Sequence, residues 1–89
     1  MIRREIDIVN KLGLHARAAA KFVTMAGEFS SEILLVRNDQ KINGKSIMGV
    51  MMLAAAKGTV LTLIISGEDE NAAMNALETL VKERFGEDE

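Results

Sequence analysis

The stretch GLHARAAA, residues 13–20, holds the chain's single histidine, His15, two positions before Arg17 and at the head of an alanine run. Imidazole is the side chain that ordinarily titrates near neutrality, and its unprotonated nitrogen is a nucleophile. If a helix starts at Ala16, His15 stands at its N-cap. The first N–H groups of a helix have no internal partner, and the helix dipole favours negative charge there. That arrangement suits attack on phosphorus. The ring would take a phosphoryl group, and the N–H groups of Ala16, Arg17 and Ala18 would lie against its oxygens. The donor fork of Arg17 could reach the same oxygens. Small residues at Gly13 and Ala16 would let a second protein approach. The same residues also fit a plain surface histidine or an imperfect cap.

Other chemistries find less support. A Ser-His-Asp hydrolase needs a nucleophile beside the histidine and a carboxylate behind it, and neither is signalled locally. A metal site would have to come from scattered carboxylates, because there is one His and no Cys. NGKS, residues 43–46, has a Gly-Lys-Ser ending without the upstream glycine of a phosphate loop. No metal or cofactor is expected.

The elements that must position His15 can be read along the chain. IRREIDIV alternates, with Ile2, Ile6 and Ile8 on one face and Arg3, Glu5 and Asp7 on the other, as in a strand with one wet side. Asn10, Lys11 and Gly13 make a turn. In ARAAAKFVTMAGEF, Ala16, Ala19, Ala20, Val23 and Ala26 share a helical stripe with Phe22 near its edge, and Gly27 stops the helix. SEILLVR and KIN read as strands two and three, joined at NDQ. Ser46 is placed to cap a short helix, IMGVMML. TVLTLIISG is the clearest strand. Asp69 is a natural N-cap for a last helix with Ala73, Ala76, Leu77, Leu80 and Val81 on one stripe, ending near Phe85. The order β-α-β-β-α-β-α predicts an α+β fold, with helices on one face of the sheet.

Composition narrows the function classes. The chain has 89 residues, one domain's worth over 1–89, with a net charge of −2. Interspersed charge and a pI near 5.4 argue against broad binding to nucleic acid or anionic membrane. No apolar run is long enough to span a bilayer. MIRREIDIVN has charges where a signal peptide would have its apolar centre, so a cytoplasmic protein is expected. GEDE, the last four residues, reads as a fraying acidic end.

GLHAR, with NGKSIMGVMMLAA about thirty residues on, resembles the HPr family of histidine-containing phosphocarriers of the bacterial phosphoenolpyruvate-dependent phosphotransferase system. The resemblance runs over essentially the whole chain. It implies an open-faced β-sandwich, four antiparallel strands with three helices on one side. It also implies that His15 accepts the phosphoryl group at Nδ1, that Arg17 assists, and that the protein is a carrier, not an enzyme. Enzyme I would be the donor and sugar-specific enzyme II A-type domains the acceptors, with the chain working as a monomer. One departure is plain: the family commonly has proline where this chain has Ala18, which frees an N–H and loosens φ.

Ser46 matches the serine that a dedicated kinase phosphorylates in many members, so an HPr kinase/phosphorylase is a candidate partner. The six apolar residues of IMGVMML exceed what one buried face of two turns can hide. Ile47, Met48 and Met51 are expected at a docking face with a cationic rim of Arg17, Lys45 and Lys21. Two alternatives stand beside the sugar carrier. One is a regulatory module of a nitrogen-linked phosphotransfer branch that acts through partner binding. The other is a small-molecule sensor, which would need a polar pocket.

Overall fold

The computed structural model describes residues 1–89. The chain runs β1 (Ile2–Asp7), α1 (Ala16–Ala26), β2 (Glu32–Arg37), β3 (Gln40–Asn43), α2 (Ile47–Met52), β4 (Val60–Ser66) and α3 (Glu70–Lys82), then closes with a 3-10 turn over Arg84–Gly86. The four strands form one antiparallel sheet in the order β1-β4-β2-β3, and the three helices lie on one face of it, as the sequence order predicts. The central strand β4 alternates, with Leu61, Leu63 and Ile65 buried toward the helices and Val60, Thr62, Ile64 and Ser66 on the open face, where Ile64 stands beside Leu34 of β2. No helix is long and apolar enough to cross a membrane.

The core lies between sheet and helices. Ile6, Ile8, Leu35, Leu61, Leu63 and Ile65 meet Phe22, Met74 and Leu77 there, all buried. Each such aliphatic side chain contributes about 1.5–3 kcal/mol relative to exposure. The buried stripe of α1 is Ala18, Ala19, Phe22 and Ala26, one step round from the expected one. Phe22 is at its centre rather than its edge, and Ala16 is exposed. Alanines on every side carry little facial information, so the one large ring sets the rotation. The same holds in α3, where Met74 joins Ala73, Leu77 and Val81 inside, while Ala76 and Leu80 are half-buried.

Both ends of α3 differ from expectation. α3 stops at Lys82, and Phe85 is buried with a left-handed φ of 55° beyond it. Asp69 precedes α3 but does not cap it. Its carboxylate accepts instead from the backbone N–H groups of Ser30 (2.8 Å) and Ser31 (3.0 Å) and from the Ser31 hydroxyl. Those hydroxyl and amide donors hold the Asp69 carboxyl down to about 2 from its ordinary 3.8.

Candidate functional site

The loop ahead of α1 is held by its own polar groups. The Asn10 side-chain amide donates to Gly13 O at 2.8 Å, and the Gly13 N–H donates to Asn10 O at 3.2 Å. Gly13 has φ +67°, and a Cβ there would stand 2.4 Å from Ala55 O and 2.8 Å from Ala56 Cα. Its smallness therefore serves close packing against the loop after α2, not the approach of a partner. Leu14 donates to Ala55 O at 2.8 Å, and its side chain joins the core with Ala19 four residues into the helix. The histidine is thus pinned from both sides of the chain.

His15 is the N-cap of α1, with extended backbone (φ −72°, ψ 176°) and no side-chain bond to the helix. Its carbonyl accepts from Ala19 N at 2.9 Å, which opens the helical ladder. The amides of Ala16, Arg17 and Ala18 are left without an acceptor. No acidic residue occupies the first turn to neutralise them. Arg17 is exposed and forms no ion pair. The imidazole, three free amides and one free guanidinium therefore meet at one helix end.

The ring's other edge meets a residue that sequence reasoning missed. His15 Nε2 lies 2.5 Å from Glu87 Oε2, and the Glu87 Oε1 accepts from Asn10 Nδ2 at 3.0 Å. The Asn10 amide first, and the His15 ring after it, hold the Glu87 carboxyl below the usual carboxylate range. The acidic end is thus no fraying tail at this position. Its composition looked solvated; what docks it is Phe85, whose apolar ring just upstream was the one available signal.

Ser46 caps α2 as expected, its Oγ accepting from the Gly49 N–H at 3.2 Å. α2 buries Val50, and Leu53 just beyond it, leaving Ile47 (41%), Met48 (70%), Met51 (43%) and Met52 (67%) exposed. The expected patch is present and larger by Met52. The cationic rim is smaller than expected. Lys45 is half-buried with its ammonium on Phe29 O at 2.7 Å, and Lys21 donates to Phe85 O at 2.7 Å. Only Arg17 of the three is without a partner.

A family model described as the PTS HPr component phosphorylation site matches residues 2–83. The phosphocarrier protein HPr of Neisseria meningitidis is 56% identical over 89 residues, covering all of both chains. That of Pseudomonas aeruginosa is 57% identical over 86 residues, 96% of each chain. Among solved structures, HPr-C-His from Thermoanaerobacter tengcongensis superposes with a TM-score of 0.96 at 46% identity, covering all of both chains. Likeness of this extent, in sequence and in backbone alike, identifies the lineage: the chain belongs to the HPr family of phosphocarrier proteins of the phosphotransferase system.

Proposed function

We propose that His15 is the phosphoryl-accepting residue and that the chain, one 89-residue unit, shuttles the group from enzyme I to sugar-specific enzyme II A-type domains. The single observation that carries this reading is the convergence of His15 with the unpartnered amides of Ala16, Arg17 and Ala18. The Nδ1 lone pair attacks phosphorus and forms the N–P bond as the donor's bond to phosphorus breaks. The oxygens of the bound group then accept from the free amides and from Arg17, where charge-assisted bonds are strong. The protein is a carrier rather than an enzyme, since it is itself modified and regenerated. It works as a cytoplasmic monomer.

The apolar patch of Ile47, Met48 and Met51 is the docking face, because thioether side chains adapt to several partners. Ser46 is the regulatory position, a target for an HPr kinase/phosphorylase. A phosphate there would sit at a helix start, which tolerates the charge, and would oppose acidic partner surfaces.

The test is intact mass after incubation with phosphoenolpyruvate and enzyme I. One added phosphoryl group is expected, lost in acid, stable in alkali and absent from His15→Ala. Unmodified wild type, or equal labelling of His15→Ala, contradicts the reading.

A further inference from the structure

Residues 83–89 leave α3 and return over the histidine as a strap. Phe85 anchors it in the core, and Lys21 Nζ holds Phe85 O. Further on, Lys11 N donates to Glu89 O at 2.8 Å. Between these anchors Glu87 spans two donors, Asn10 Nδ2 on one oxygen and the His15 Nε2 edge on the other. Asn10 is wholly buried and also bound to Gly13 O, so its amide orientation is set by two acceptors. The Glu87 side chain is 15% exposed, and that of His15 27%. A carboxylate has only acceptor oxygens, so a ring nitrogen bonded to it must carry its proton. The contact keeps a proton on Nε2, so in the neutral ring the lone pair stands on Nδ1.

We propose that Glu87 is a positioning residue for phosphoryl transfer, holding the His15 ring with Nε2 protonated and Nδ1 free toward the head of α1. This rests on the carrier reading above. In the transfer, Nδ1 donates its pair to phosphorus while the donor's bond to phosphorus breaks and the donor group departs with those electrons. The Nε2 proton stays on the His15 ring against Glu87. The phosphorylated ring is then cationic and the carboxylate faces that charge. When the group moves on, the pair returns to Nδ1 and the ring is neutral again. The carboxylate sits across the ring from the reacting nitrogen, so it supports the ring without crowding the anionic phosphoryl group.

Three variants test the proposal: Glu87→Ala, Glu87→Gln, and Asp88→Ala, a neighbouring acid that makes no such contact. Two readouts are taken, proton and ¹⁵N resonances of the His15 ring, and the rate of phosphoryl uptake from phosphorylated enzyme I. Wild type should give a hydrogen-bonded Nε2–H resonance. Glu87→Ala should lose it, gain Nδ1-protonated ring, and take up phosphoryl about tenfold or more slowly, since a misplaced tautomer is a costly fault in histidine chemistry. Glu87→Gln can satisfy only one of the two donors with its single carbonyl and should fall between. Asp88→Ala should match wild type in both readouts. If wild type and Glu87→Ala share ring resonances and uptake rates, the proposal is overturned while the carrier reading stands. If wild type takes no phosphoryl group, the carrier reading falls, and this role falls with it.

Discussion

The Ser46 hydroxyl reaches one amide, Gly49 N, and that is the side chain's one hydrogen bond. Ser46→Ala should cost about 1 kcal/mol of stability. For a domain of this size the melting temperature should fall by roughly 4–8 °C. An unchanged melt would deny the cap. At Gly13 the cost has another origin: an added methyl would press on the backbone of Ala55 and Ala56, which has no rotamer to yield. Gly13→Ala should therefore lose about 1–3 kcal/mol in denaturant unfolding, and it should slow phosphoryl uptake by displacing the histidine loop. His15, Arg17 and Ser46 were legible in the sequence because caps and first-turn residues are defined by spacing of one to three positions. Glu87 was not, because its partner lies 72 residues away and carboxylates at a chain end look solvated whatever they touch.

Among the elements, α2 is the one whose apolar content exceeds what it buries, as its sequence predicts. Five apolar residues, Ile47, Met48, Val50, Met51 and Met52, occupy a helix that has one side against the molecule, and all but Val50 remain exposed. Met48→Asp should leave the melting temperature nearly unchanged and weaken partner binding about tenfold, or about 1.4 kcal/mol, read by titration calorimetry with enzyme I. Equal affinity would remove α2 from the docking face. Phe85 shows the opposite case. It stands beyond the last helix, where periodicity says nothing, yet it is 1% exposed. Phe85→Ala should cost about 3–5 kcal/mol and release the strap. Strand positions were readable because alternation has period two, and a wrong phase would expose every aliphatic. Helix rotation was less so in α1, where alanine fits either face.

For the whole molecule, acid stability follows from carboxylates that act as cross-links between distant segments. Asp69 ties the start of α3 to Ser30 and Ser31, Glu70 accepts from Gly67 N and pairs with the chain's amino terminus, and Glu87 ties the strap to Asn10 and His15. All three have folded-state pKa values depressed by these donors. A depressed carboxyl gives stability that is present above its unfolded value and lost as pH falls through the folded one. For Asp69 that window runs from 3.8 down to about 2. The urea midpoint should fall steadily as pH is lowered across this window. Asp69→Asn should be less stable at neutral pH and flatter over the same range. A wild-type midpoint independent of pH there would contradict the cross-link account. Element order was legible from pattern alone, whereas these ties were not, since each joins segments that meet only once the sheet has formed.

The central claim is that a phosphoryl group on His15 Nδ1 rests on the open amides of α1. Amide proton resonances recorded before and after phosphorylation, with ¹⁵N–³¹P coupling to identify the bonded nitrogen, test it most directly. Coupling to Nδ1 with large downfield shifts confined to Ala16, Arg17 and Ala18 is the predicted result. Phosphorus on Nε2, or amides at those three positions unmoved by the modification, would contradict it.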